Sequence, residues 1–281
     1  MSIASQNPDA LPISTSSPMK LPRRQEALFR EVLLLFEQEH IPYAVSGAFA
    51  LRQHTGISRF TKDLDIFLTP KNVSLALQYL GERDFECEIS DPIWLAKARR
   101  KPYFVDLISG MSNGVITVEP SWIERSHPAV IFGMNTRVLA PEELIVSKLF
   151  VTRRERFDGA DIVHVIYALG KELQWNRILE LAGEHWELVL WNLVLFRYIY
   201  PAHSDYVPQA LWEELLDRFA REIQVANPGS GFRGGLIDPR MFAIDIDEWK
   251  LNDVLEDYQN RCTKIRKLAV AGRGTRRKRA A

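Results

Sequence analysis

The sequence predicts an α+β fold: a small mixed β-sheet flanked by helices over residues 23–140, then a mostly helical lobe over 141–263. Three observations carry that expectation. Short apolar runs bounded by turn residues, such as Asp63 to Leu68 and Tyr103 to Ile108, fall before Pro141. Apolar residues at helical spacing alternate with them and take over after Pro141. Hydrophobic residues make up 46% and charged residues 26% of 281, which is enough to bury a core in one large domain or two ordinary ones.

The elements follow in order. Residues 1–22 hold four prolines and the polar run Ser14 to Ser17, and read as a flexible leader. Arg23 to His40 places Leu28, Val32, Leu35 and Phe36 on one helical face, and Pro42 stops it. Tyr43-Ala44-Val45 is a short buried strand ending at Ser46-Gly47, and Ala48 to His54 is a helix closed by Thr55-Gly56. Asp63 to Leu68 is a strand ended by Thr69-Pro70, and Val73 to Gly81 is a helix. Phe85 to Ile89 and Tyr103 to Ile108 are strands, with the basic stretch Arg99-Arg100-Lys101 before the second. Ser112 to Leu139 reads as short β pieces with turns at Asn113-Gly114 and Gly133. Pro141-Glu142-Glu143 starts a helix, with proline early and acids in the first turn. Helices are then expected at Asp161 to Leu169, Trp175 to Ala182, Trp186 to Tyr200 and Ala210 to Ile223. The tryptophans 175, 186, 191 and 212 fall at apolar positions and read as core. Asn227 to Arg240, with four glycines but no Gly-Lys-Ser/Thr ending, reads as a flexible loop rather than a P-loop.

Charge and cysteine content exclude several classes. Basic and acidic residues number 36 each, but nine basic residues and no acid lie from Arg261 onward, leaving the rest 27 against 36, a formal −9. The body is acidic, and residues 264–281 form a basic flexible tail able to hold RNA or to aid solubility. Cys87 and Cys262 make no disulfide scaffold and no zinc spacing. No apolar run of about 18 residues predicts a membrane span, no secretory signal is evident, and a cytoplasmic bacterial-type protein is expected.

The chemistry lies in the carboxylates. In a strand, residues i and i+2 share a face, so Asp63 and Asp65 project together while Leu64 and Ile66 enter the core. Adjacent carboxylates repel, and a divalent cation removes the cost; few hard oxygen ligands with room for water and phosphate suit Mg²⁺. Asp106, in a second apolar strand, joins them if the strands are neighbours, and three carboxylates can hold two ions. Ser46-Gly47 stands where a strand meets a helix, and a helix N-terminus offers N–H groups to phosphate, although the same residues could form a plain β-to-α turn.

This order of motifs resembles the nucleotidyltransferase superfamily related to DNA polymerase β. Val45-Ser46-Gly47, Asp63-Leu64-Asp65 and Asp106 match its glycine turn, its paired acids and its third carboxylate. Arg59, Thr61 and the paired acids are similar to the bacterial branch of AbiEii-like toxins and uncharacterised nucleotidyltransferases, as are Pro141 to Leu144, Lys148 and Asp158 to Ile162. The resemblance covers about residues 40–170. It implies a nucleotidyltransferase core, an NTP (ATP among them) with Mg²⁺, and a helical Lys148 and Asp161 that complete the site. Resemblance to the toxin branch allows tRNA or protein as acceptor and an antitoxin-like partner, while RNA fits the basic tail and the acidic body suits a cationic small molecule. Ser46 departs from the family, which usually has glycine there, and its Cβ bears on how tightly the turn can hold phosphate.

Basic residues would balance the phosphates. Arg52 follows Ser46-Gly47 on the helix, Arg59 and Lys62 flank the paired acids, and Lys148 sits among apolar neighbours from which it could close a cleft. Each is also readable as a solvated charge, and Asp161 as a first-turn carboxylate that could instead orient Lys148. Two functions follow. One is an active transferase in which Asp63, Asp65 and Asp106 bind metal, or Asp106 serves as base. The other is a nucleotide-binding protein on the same fold with weakened turnover.

Overall fold

The computed structural model describes residues 21–279, with side chains through Lys267. Most of the leader expected over 1–22 and the last two residues of the basic tail lie outside the described residues.

Helix α1 (Arg23–Gln38) buries Phe29, Val32, Leu33 and Phe36 on one face. Strand β1 (Ala44–Val45) runs into α2 (Gly47–Thr55), which stops at Gly56 in the left-handed region, its N–H on the Arg52 carbonyl. Then come β2 (Asp63–Phe67), α3 (Pro70–Gly81), β3 (Glu86–Asp91), β4 (Leu95–Arg100) and β5 (Tyr103–Ile108). Next are α4 (Pro120–Glu124), β6 (His127–Ile131), β7 (Met134–Val138), α5 (Pro141–Lys148), β8 (Thr152–Arg153), β9 (Arg156–Phe157) and α6 (Gly159–Leu169). The chain continues through α7 (Trp175–Ala182), α8 (Trp186–Ile199), α9 (Gln209–Glu222), α10 (Gly234–Ile237), α11 (Ala243–Asp247) and α12 (Leu255–Arg279).

The sheet is mixed, in the order β3-β4-β5-β2-β1-β7-β6. Strands β2 and β5 pair in parallel, as do β1 and β7; the other pairs are antiparallel. Helices α1 and α3 touch each other and the β3–β5 side, while α2 packs on α5 and α6. That packing brings the helical region against the start of α2. His54 Nε2, 2.7 Å from the Leu139 carbonyl, ties α2 to the exit of β7. Among the described residues, no helix is long and apolar enough to cross a membrane.

The structure departs from the sequence expectations in six places. The basic stretch before Tyr103 is strand β4, with Ala96 and Ala98 buried and Lys97 and Arg99 on the other face. Asn113-Gly114 turns without joining two strands, and the segment beyond it holds the short helix α4. A β8–β9 hairpin interrupts the helices. The Asn227–Arg240 loop contains the helical turn α10 and is pinned by a Phe232–Asp253 bridge. The basic stretch from residue 264, expected as a flexible tail, continues α12 as helix to Arg279, where Lys, Arg and Ala favour that conformation and no proline interrupts it. Trp175 and Trp186 are core as expected, but Trp191 is 47% exposed.

Candidate active site

Register assembles the carboxylates. Strand β2 carries Asp63 and Asp65 on one face, with Leu64 and Ile66 fully buried on the other. Parallel pairing of β2 with β5 sets Asp65 directly beside Asp106. The three aspartates each offer an oxygen within 4.8 Å of the others, and all are half-buried. On the far side of β5, antiparallel pairing sets Lys97 opposite Asp106, with Nζ 2.6 Å from Oδ1. Thr61 Oγ1 donates to Asp63 Oδ1 at 2.9 Å, and the Thr61 carbonyl accepts from Gln25 Nε2 of α1 at 3.1 Å.

The turn into α2 lies against this row. The Ser46 N–H donates to the Asp65 carbonyl at 2.8 Å. Gly47 has φ +58°, and a Cβ on it would lie 1.9 Å from Asp65 Oδ2. Only glycine lets the helix start approach that carboxylate. Ser46 itself has φ −126° and ψ −152°, extended backbone open to any residue, so its Cβ brings no backbone strain.

Burial, with Asp63 and Asp106 adding repulsion, pushes the Asp65 carboxyl up to about 7. Burial also raises Asp106, against the opposing pull of Lys97. Hard oxygen donors that resist ionising together are the donor set a divalent cation would relieve, and Asp63, Asp65 and Asp106 fit one.

A second cluster comes from the helices. Lys148 is buried at the end of α5, its Nζ 2.8 Å from Asp158 Oδ2 and 2.9 Å from Asp161 Oδ2. Arg156 of β9 grips Asp158 through two bonds of 2.9 Å, and Arg59 ion-pairs with Asp161. Burial works against the charge of Asp158, but Arg156 and Lys148 outweigh it and hold the carboxyl below its usual value. The chain Arg156–Asp158–Lys148–Asp161–Arg59 is therefore internally paired.

A cavity of about 320 Å³ joins the two clusters. Ser46, Gly47, Asp65 and Asp106 line it from the sheet side, Lys148 and Arg156 from the helices. Asp63 is not among the lining residues but offers an oxygen within 4.8 Å of Asp65 and Asp106, and Asp161 and Arg59 connect to the lining through Lys148. Lys62 is exposed, and neither it nor Arg52 lines the cavity. Sequence reading passed over Lys97 and Arg156. The alternation of Ala96 and Ala98 with Lys97 and Arg99 was a signal for β4, masked because alanine is a poor strand former. Arg156 carries no local signal, since its hairpin has only two residues per strand.

Comparison with known proteins places the chain. No curated protein is significantly similar to it. Similar solved structures include the antibiotic-resistance factor ANT(2'')-Ia, at 13% identity and a TM-score of 0.45, over 60% of this chain and 95% of that one. The lincosamide antibiotic adenylyltransferase LnuA is similar at 15% identity and 0.37, over 52% and 96%. An antigenic nucleotidyltransferase-like protein from Paracoccidioides brasiliensis is similar at 18% identity and 0.36, over 61% and 94%. Residues 26–187 match the family described as nucleotidyl transferase of unknown function (DUF2204). Because that match spans more than half of the chain and takes in the glycine turn, the carboxylate row and the Lys148 cluster alike, the chain belongs to this family and is a nucleotidyltransferase.

Proposed function

We propose that the protein moves a nucleoside monophosphate from an NTP to an acceptor hydroxyl in a Mg²⁺-dependent reaction. The observation that carries this reading is the meeting of three carboxylates with the start of α2 at one cavity. Asp63 and Asp65 would hold the ion, with Asp106 beside them as a further ligand or as the base, and the ion when bound would neutralise the row and stabilise charge on the phosphate oxygens. At the start of α2 the Gly47 N–H and the Ser46 hydroxyl bind phosphate, the Ser46 N–H being taken by the Asp65 carbonyl. Asp106 accepts the proton of the acceptor hydroxyl as its oxygen bonds to the α-phosphorus. The bond from that phosphorus to pyrophosphate breaks, and pyrophosphate leaves against Lys148 and Arg156.

The weakened-turnover alternative rests on Ser46, whose Cβ stands at the phosphate turn although its backbone is extended and unstrained. Acceptor classes to compare are RNA or tRNA, reached from the basic end of α12, protein, and small cationic molecules. A toxin role with an antitoxin-like partner belongs to the same reading, as does a cytoplasmic site of action, which two free cysteines suit.

The test supplies each α-labelled NTP, ATP first, with Mg²⁺ and each acceptor class. Wild type should transfer label and release pyrophosphate, and Asp63→Asn should do neither. NTP binding without transfer to any acceptor would favour the weakened reading, and absence of NTP binding would sink both. Growth arrest on expression, relieved by the product of an adjacent gene, is the result expected of a toxin.

A further inference from the structure

We infer that Lys97 takes the place of a second metal ion beside Asp106, so that the nucleotide-free protein loads one divalent cation, on Asp63 and Asp65. The inference rests on the metal reading proposed above.

Three adjacent strands put Lys97, Asp106 and Asp65 in one row, because Lys97 pairs with Asp106 across β4–β5 and Asp106 with Asp65 across β5–β2. The ammonium is held from two sides by β5. It sits 2.6 Å from Asp106 Oδ1 and 4.7 Å from the centre of the Phe104 ring. Phe104 is also the register partner of Asp63, so that side of the row offers an aromatic ring and no fourth carboxylate. The Lys97 and Asp106 side chains are 20% and 14% exposed, so solvent screens the pair weakly.

Charge then sets the number of ions. Three carboxylates and one ammonium leave −2, which one divalent ion cancels. The other nearby cations, Lys148, Arg156 and Arg59, are tied to Asp158 and Asp161 with one positive charge in excess, which disfavours a second divalent ion further. A second divalent ion on Asp106 would have to share the carboxylate with an ammonium already bonded to it. Asp63 takes the Thr61 hydroxyl and Asp65 feels Lys148 and Arg156 through the field alone, whereas Asp106 bonds an ammonium directly, so Asp63 and Asp65 are the ligands left for the first ion. Lys97 is thus a positioning residue: it fixes Asp106 and fills the charge its neighbourhood would otherwise draw from solution.

The experiment titrates Mn²⁺ into the full chain without nucleotide, by calorimetry and by loss of the free-Mn²⁺ EPR signal. Wild type should bind one ion. Lys97→Met, which keeps the stem and loses the charge, should bind two, or bind the first about tenfold tighter because a like charge at close range is gone. Lys97→Arg should behave as wild type, which a purely steric role would not require. Two ions on wild type, or identical titrations for wild type and Lys97→Met, would overturn the inference. No binding to any protein, or unchanged binding by Asp65→Asn, would overturn the metal reading beneath it. Should Lys97→Met fail to give the wild-type far-UV spectrum, Lys97→Gln takes its place.

Discussion

Two clusters of charge face the same cavity, and they are balanced in opposite ways. On the sheet, Asp63, Asp65 and Asp106 have a single ammonium among them, and Asp65 is driven toward its protonated form. On the helices, Lys148, Arg156 and Arg59 interleave with Asp158 and Asp161, each acid touching two cations. The sheet cluster stores repulsion that Lys97 offsets in part and that a proton on Asp65 or an added cation relieves further. The helical cluster is complete without a ligand and holds its own geometry. Removing a charge should therefore stabilise the first and destabilise the second.

The largest effect is expected at Asp65. Its folded carboxyl titrates near 7 against an ordinary value of 3.8. Between about pH 4 and pH 7 the native state keeps a proton that the unfolded chain releases, so metal-free stability falls as pH rises through that window and is flat above it. Asp65→Asn should remove the Asp65 share of this slope, leaving what Asp106 contributes, and stabilise the metal-free protein at pH 8 by at most about 4 kcal/mol. Urea unfolding at pH 5, 6 and 8 measures it. The same slope in wild type and variant would show that neighbouring groups already relieve the carboxylate.

The opposite sign is expected at Lys148. Lys148→Met leaves Asp158 and Asp161 each with one buried partner missing, and Arg156 and Arg59 soften the loss to about 2–3 kcal/mol. Turnover should fall further than nucleotide affinity, because phosphate charge builds up in the transition state. Arg52→Ala, at a residue that does not line the cavity, is the control with the smaller effect on transfer. A Lys148→Met protein as stable as wild type would erase the contrast between the clusters.

The smallest change sharpens the point of contact between the carboxylate row and α2. Gly47→Ala must place a methyl where Asp65 Oδ2 now lies and hold a left-handed φ. It should cost about 1–2 kcal/mol from the backbone alone and lower Mn²⁺ affinity by displacing Asp65, both readable in one calorimetric series. Full Mn²⁺ affinity in this variant would separate the glycine turn from the metal ligands.

Much of the site was legible before the fold was known. The pairing of Asp63 with Asp65 follows from the two-residue period of a strand, which local apolar neighbours announce. The turn at Gly47 follows from the one residue that takes a left-handed φ freely, and the helix start at Pro141 from the one that fixes its own φ. Glu142 and Glu143 show where this kind of reading stops. They open α5 as first-turn acids should, yet both are buried, Glu142 accepting the Gln174 N–H and Glu143 pairing with Arg177.

Each residue imposes constraints on its near neighbours that can be read from the chain alone: which side chains share a face, where a helix begins, where only glycine fits. Tertiary structure alone decided that Asp106 stands beside Asp65, that Lys97 answers Asp106, and that Lys148 lies between Asp158 and Asp161. The physical reason is that periodicity is a property of backbone dihedrals and is written in every short segment. The choice of partner strand, and of which helix packs on α2, belongs to the burial of the whole core, to which no single segment has access.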